Sequence, residues 1–298
     1  MSRAALLVAL AACGRLHFDA LAVGGDGGTG DGAPSDALAL CDPETPFGTP
    51  TPITELNVAG AYDSTITLEP DELTAYFYSD RSGQFDIYIA TRPDLATPFT
   101  VTPFTAIDSP DTDKEPGVAP DGSVLAFITT RPPADAGGDI WLSMPIGTAP
   151  AAVANLNSTA SEYHPFFQLD TNDVYFCSNR NGNFSVFHTT YLGGGAFANP
   201  TQETSLDAAG YDTDVALAMP GGLVMYFRST RPGGPGGEDI WRAERATTSD
   251  PWGTPVVETE VDSAQLDTPS WISRDGCRFY LSSSRTDASD IYIATRTP

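Results

Sequence analysis

Apolar residues in this chain come in short runs, and outside the first dozen positions they do not sustain the spacing of an amphipathic helix. The runs centre on aromatic pairs, Tyr76-Phe77, Tyr175-Phe176 and Tyr226-Phe227, and on Asp-Ile-Tyr or Asp-Ile-Trp triplets. Between them lie Pro120-Asp121-Gly122, Pro220-Gly221-Gly222 and Arg274-Asp275-Gly276. These are hairpin residues, because glycine accepts positive φ while Pro and Asp favour turn geometry. The pattern predicts many short antiparallel strands and an all-β fold.

The runs repeat. SDRSGQFDIYIATR, TTRPPADAGGDIWLSM, SNRNGNFSVFHTTY, STRPGGPGGEDIWRAER and SSRTDASDIYIATR are versions of one unit. Their arginines, Arg81, Arg131, Arg180, Arg231 and Arg285, stand 50, 49, 51 and 54 residues apart. A period near 50 in an all-β chain points to the blades of a propeller. Each unit parses into four strands: a short apolar strand a such as Pro269-Ser270-Trp271-Ile272, strand b with its aromatic pair, strand c with Asp-Ile-aromatic, and strand d after Phe99, Phe197 or Trp252. The fifth unit runs out after strand c, at Asp290-Ile291-Tyr292. A matching strand d precedes the first unit, where Pro46-Phe47-Gly48-Thr49-Pro50 mirrors Pro251-Trp252-Gly253-Thr254-Pro255. The expectation is a single five-bladed β-propeller over 42–298, with an N-terminal strand that closes the last blade and removes the open sheet edge.

The repeated Pro-Asp-Gly turn, aromatic strand, Ser-x-Arg and Asp-Ile-Tyr resemble the TolB-type, WD-like propeller repeats, over about residues 42–298. Four units match in both the Arg and the Asp-Ile-aromatic parts, and the third is degraded. The resemblance implies fold more than function, since that superfamily is functionally mixed. TolB proteins have six blades and a separate N-terminal domain, so their partner interactions are not carried over to this chain.

The N-terminus reads as an export signal over 1–12. Arg3 gives a positive start, and Ala4 to Ala12 are apolar but too short to span a bilayer. Leu10-Ala11-Ala12-Cys13 looks like a lipobox, with Cys13 as the lipidated residue. Gly14, not Asp, follows it, which points to the outer membrane, on its periplasmic or surface face. Residues 13–41 then form a Gly/Asp/Ala-rich flexible tether. Cys41, Cys177 and Cys277 remain after anchoring. Three is an odd number for an exported chain, so two or more buried thiols are the starting expectation, and Cys41–Cys277 is the one pair the closure would bring near.

The formal charge is −24, from 39 acidic against 15 basic residues, which disfavours nucleic acid and anionic lipid surfaces. Two sets of charges recur in register. Across the b–c hairpin, Arg81 with Asp86, Arg131 with Asp139, Arg231 with Asp239 and Arg285 with Asp290 are expected as structural ion pairs. A second acid, Asp63, Glu115, Glu162, Asp212 or Asp267, opens strand a and rings one mouth of the channel. It serves either its own blade's arginine or a ligand. The third unit departs from the rest: Ser185 replaces Asp, leaving Arg180 one partner short, and His164 and His188 are added.

No Gly-x-Ser-x-Gly, Walker loop, His-Glu-x-x-His or Cys-x-x-Cys occurs. Asp108-Ser-Pro-Asp111-Thr-Asp113 is rich in oxygen ligands but lacks the spacing of a calcium loop. No cofactor and no metal is expected. The reading is an envelope lipoprotein, a monomer that touches membrane only through its anchor. It would act without catalysis, binding an envelope protein or glycan, with Asp63, Glu115, Glu162, His164, Asp212 and Asp267 as candidate ligand contacts. The alternative is a glycoside hydrolase using the channel-mouth carboxylates. Cys13→Ser is expected to abolish incorporation of labelled fatty acid and to move the chain into the aqueous phase of a detergent partition assay.

Overall fold

A computed structural model describes residues 40–132, 137–209, 213–286 and 288–298, with part of the side chains of 213–218 left aside. The signal segment, Cys13 and most of the tether lie outside the described residues, as does Asp212. The described residues belong to one compact unit.

The described chain is built from strands and turns in five antiparallel sheets. Blade one contains β2 (Asp63–Leu68), β3 (Thr74–Ser79), β4 (Asp86–Thr91) and β5 (Thr100–Pro103). Blade two contains β6 (Asp113–Val118), β7 (Leu125–Thr129), β8 (Asp139–Ser143) and β9 (Ala151–Ala152). Blade three contains β10 (Glu162–Phe167), β11 (Asp173–Ser178), β12 (Ser185–Gly193), β13 (Ala196–Phe197) and β14 (Thr201–Gln202). Blade four contains β15 (Thr213–Ala218), β16 (Val224–Ser229), β17 (Asp239–Glu244) and β18 (Val256–Val257). Blade five joins β19 (Asp267–Ile272), β20 (Arg278–Ser283) and β21 (Asp290–Thr295) to β1 (Thr51–Pro52), with Thr51 opposite Ile293 and Pro52 opposite Tyr292. The inner strands β2, β6, β10, β15 and β19 contact one another in turn, and β19 meets β2 to close the ring. This is the five-bladed, all-β propeller that the period and the closing strand predict.

Because each blade is covered on both faces, the central residues of its strand b are mostly apolar and buried. Phe77, Phe127, Phe176, Phe227 and, in blade five, Leu281 are fully buried at corresponding places in β3, β7, β11, β16 and β20. The inner strands approach each other closely: a Cβ on Gly117 would stand 1.8 Å from the Pro165 carbonyl oxygen, so only glycine fits there. The a–b hairpins turn on residues such as Gly122, at φ 66°, as the Pro-Asp-Gly pattern requires.

A second arginine set locks the opposite ends of the blades. Arg92, Arg245 and Arg296 donate from Nε to the carbonyls of Glu72, Gly222 and Gly276 at 2.7–2.8 Å. Their guanidinium groups lie over the rings of Phe99, Trp252 and Phe47 at 4.1–4.3 Å. Phe47 thus takes the role in the last blade that Phe99 and Trp252 take in theirs, which is what the mirrored Pro-Phe-Gly-Thr-Pro motif implied.

Cys41 and Cys277 form a disulfide, with Cα atoms 5.2 Å apart, while Cys177 remains a buried thiol. The expectation of unpaired thiols is corrected for two of the three, because closure carries the N-terminal segment onto the β19–β20 turn, where Cys41 N–H also donates to Asp275 O. Cross-linking residues 236 apart restricts the unfolded chain strongly. Reduction, or Cys41→Ser with Cys277→Ser, is expected to lower stability by about 2–4 kcal/mol in a denaturant melt while leaving the far-ultraviolet β signature intact.

Candidate functional site

The arginine that ends strand b makes the same hydroxyl and carbonyl contacts in every blade. Arg81, Arg131, Arg180, Arg231 and Arg285 donate from Nε to the hydroxyl two residues earlier, on Ser79, Thr129, Ser178, Ser229 and Ser283, at 2.8–3.0 Å. Their Nη2 groups donate to the carbonyls of Leu56, Ile107, Leu156, Leu206 and Val261, in the segment that enters the blade. Each also lies over the strand-b phenylalanine, the strand-c aromatic or both. The last contact is to the acid that opens strand a, 2.5 Å to Asp63, 2.6 Å to Asp113, 2.9 Å to Glu162 and 2.6 Å to Asp267.

These four carboxylates are fully buried and capped by their entry segments. Asp63 accepts from Val58 N–H, and Asp113, Glu162 and Asp267 accept from the N–H and hydroxyl of Ser109, Ser158 and Ser263. They hold the blades together; they do not form an open ring at the channel mouth. Blade four differs, since β15 opens with Thr213.

Two expectations are corrected here. The pairs Arg81–Asp86, Arg131–Asp139, Arg231–Asp239 and Arg285–Asp290 do not form, because each arginine turns inward to the entry segment and strand a, away from the b–c hairpin. Asp86 takes Ser82 and Gln84 instead, Asp239 takes Gly236 N–H, and Asp290 takes Thr286. Arg180 accordingly loses nothing through Ser185, whose hydroxyl accepts from Gln202. In blade two the opening acid is Asp113, and Glu115 lies two residues further along β6.

That displacement makes Glu115 a site residue of a different kind. Thr65, Glu115 and His164 occupy one register position at the bulge of strand a, and all three have positive φ, 41°, 55° and 50°. A non-glycine residue held there is strained, and such strain collects where side chains are aimed for a purpose. Glu115 and His164 line a recess of about 250 Å³ at the channel mouth, together with Lys114, Tyr163, Phe184, Arg228, Ser229, Thr230 and Glu238 from blades two, three and four. A second recess of only about 10 Å³ is lined by Thr65, Pro116, Pro165, Phe166, Leu217 and Ser270 from the inner strands, and it shares His164 with the first recess, the cup.

Charges in the recess are paired. Glu115 meets Lys114 Nζ at 3.0 Å, accepts from His164 N–H at 3.1 Å, and lies 3.6 Å from His164 Nε2. Arg228 meets Glu238 at 3.0 Å. Lys114 Nζ sits 4.5 Å above the Tyr163 ring, and Tyr163 packs on Phe184 with centroids 5.2 Å apart. Beside the cup, burial together with the nearby Tyr62 and Glu115 raises the Tyr78 hydroxyl well above its ordinary range, so Tyr78 stays neutral.

His188 belongs elsewhere. On β12 it stacks on Tyr175 and bonds Asp173 at 2.9 Å, and that bond draws the Asp173 carboxyl below its usual range. Among the described residues no group of three acidic, histidine or cysteine side chains could hold a metal ion. Lys114, Tyr163, Phe184, Arg228 and Glu238 were not singled out from the sequence. The available signal was that Lys114 is the chain's one lysine and stands where other repeats carry Ser64 and Thr268.

No family model matches the chain, and no curated protein does. Solved structures share its fold at low identity. A putative TolB from Agrobacterium tumefaciens is 21% identical over 76% of this chain and 70% of that one, with a TM-score of 0.49. An α-L-arabinofuranosidase from Podospora anserina, in complex with cellotriose, is 12% identical over 85% and 98%, with a TM-score of 0.51. The catalytic domain of a GH62 α-L-arabinofuranosidase from Coprinopsis cinerea is 10% identical over 85% and 97%, with a TM-score of 0.50.

The pairing geometry has a direct consequence for stability. Arg131→Ala leaves the buried Asp113 carboxylate without its counter-charge and is expected to cost about 3–5 kcal/mol in urea melts. Asp86→Ala removes only bonds to the neutral Ser82 and Gln84 of its own hairpin and should cost about 1 kcal/mol or less. Equal losses would contradict the assignment.

Proposed function

We propose that this protein is a lipid-anchored envelope propeller, held to the outer membrane through Cys13, that binds a glycan or protein partner at the cup between blades two, three and four without catalysing a reaction. The observation that carries this reading is the use of the channel-mouth acids. Asp63, Asp113, Glu162 and Asp267 are consumed in the blade joints, so these four described acids are not open to the channel. What the cup presents is an aromatic face, Tyr163 on Phe184, rimmed by Lys114, Arg228, Glu115, Glu238 and His164. Flat apolar faces beside hydrogen-bonding side chains suit a sugar ring, which offers C–H faces and hydroxyl edges.

One observation favours hydrolysis as a second reading: two carboxylates, Glu115 and Glu238, do line the cup. A glycosidase needs one of its pair to hold a proton for the leaving group while the other acts as base or nucleophile. Here each faces a basic side chain at 3.0 Å. The likeness to arabinofuranosidases extends to fold alone.

The test uses the full chain against a panel of neutral oligosaccharides, followed by calorimetric titration and product analysis. Binding by at least one oligosaccharide is expected, weakened about tenfold by Tyr163→Ala, a loss of ~1.4 kcal/mol, with no cleavage product. Cleavage abolished by Glu115→Gln or Glu238→Gln would establish the hydrolase instead. Absence of sugar binding, with a partner captured from envelope extract and lost in Tyr163→Ala, would leave a protein ligand.

A further inference from the structure

Each segment that enters a blade carries an Asn or Asp four residues after the backbone N–H that bonds to strand c of the preceding blade. The five are Asn57, Asp108, Asn157, Asp207 and Asp262, following Ile53, Phe104, Val153, Glu203 and Glu258. Where the residue is Asn, its amide clamps one strand-c residue from both sides. Asn57 accepts from Ile291 N–H at 2.8 Å and donates to Ile291 O at 3.1 Å. Asn157 does the same to Ile140, at 2.8 and 3.0 Å. The clamp needs one acceptor and one donor, which a carboxamide has and a carboxylate lacks.

Asp262 sits at this position against Ile240, at the joint between β17–β18 of blade four and β19 of blade five. Both of its carboxyl oxygens are buried, and neither completes a hydrogen bond with another described residue. The groups facing it are themselves acidic, Asp239 on β17 and Asp267 on β19, while Arg285, which reaches the adjacent Val261 O, is engaged by Asp267 Oδ1 and Ser283 Oγ. Asp207 contrasts with it: Gln202 Nε2 donates to its Oδ2 at 2.8 Å, and the charge of Arg231 acts on it. A buried, unbonded carboxylate between two others would be opposed by desolvation and repulsion together.

We propose that Asp262 is a neutral carboxylic acid at neutral pH, taking the place of the clamp asparagine, and that its ionisation in alkaline solution loosens the joint between blades four and five. Its hydroxyl then supplies the donor that the Asn amide supplies elsewhere, toward the Ile240 carbonyl or the Asp267 carboxylate, while the other oxygen faces Ile240 N–H. Burial first, then Asp267 and Asp239, push its pKa to about 8. The same position in blade two behaves alike but less strongly: burial, Asp86 and Asp113 raise Asp108 to about 6.

The sign of the pH effect follows from proton binding. A carboxyl whose native pKa lies above its unfolded value, roughly 3.9, holds more protons when folded, so stability is lost as pH rises from that value to the native one. Asp262→Asn removes this dependence and keeps the clamp. The melting temperature of the full-length variant is expected to match the wild type near pH 4 and to exceed it by roughly 5 °C or more at pH 8.5. Glu258→Gln serves as the control, since burial and Glu260 raise Glu258 on the same segment to about 7. Infrared spectra of the wild type give a second measurement that needs no variant. A protonated-carboxyl band should persist at pH 7.5, after Asp108 and Glu258 have mostly ionised, and disappear with a midpoint near pH 8. Parallel pH profiles for wild type and Asp262→Asn, or no such band at pH 7.5, would overturn the proposal. Neither outcome bears on whether the cup binds a ligand.

Discussion

The arginine at the end of each strand b is the contact on which the propeller depends. A blade is a four-stranded sheet that cannot hide both faces alone, so its stability comes from packing against its neighbours. Packing is non-directional, however, and needs something to set the angle at which one blade follows the next. The guanidinium group does this by joining three parts of the chain: the strand-b hydroxyl, the carbonyl of the entering segment and the acid that opens strand a. Its planar fork offers several donors in fixed directions, which a lysine could not reproduce. With the acid fully buried, the pair stands or falls as a unit, and all five blades carry the arginine.

The repeat explains why the fold was legible. A period near 50 and a displaced fourth strand are properties of the chain's order, and Phe47 announced its place by sharing a motif with Trp252. The partners of the arginines were less legible, because two antiparallel neighbours offered acids in register. Asp86 lies across the hairpin and Asp63 across the other side of the same strand. The choice rested on which way the guanidinium turns, and that depends on the Leu56 carbonyl, a backbone acceptor with no side-chain signature. In blade two the three acids Asp111, Asp113 and Glu115 alternate along one strand entry, and only the spacing of 18 residues shared with Asp63–Arg81 and Glu162–Arg180 singles out Asp113 as the partner of Arg131.

The cup was illegible for a different reason. It is assembled from register positions that are free to vary, and variation does not show as a motif. Lys114 and Tyr163 follow the opening acid, where other blades have Ser64 and Thr268. Arg228 stands in strand b where others have Tyr78, Ile128, Cys177 and Ser282, and Glu238 and Phe184 precede strand c where others have Phe85 and Ser289. Only closure into a ring brings these columns together at one mouth.

Joint positions and cup positions therefore divide the molecule's acids into two populations. Those in the joints are buried, must be compensated, and tolerate little change; where arginine or amide donors are lacking, as at Asp262, a proton is the remaining means of compensation. Those at the cup are paired with side chains from the same or an adjacent strand, the buried Glu115 with Lys114 and the more exposed Glu238 with Arg228. Three neighbouring blades adopt positive φ at the bulge beneath this mouth. The joint needs no such conformation, since the arginine contacts lie at the strand ends on either side of it. Glu115 and His164 carry this conformation where they line the cup, while Thr65 carries it outside the cup's lining.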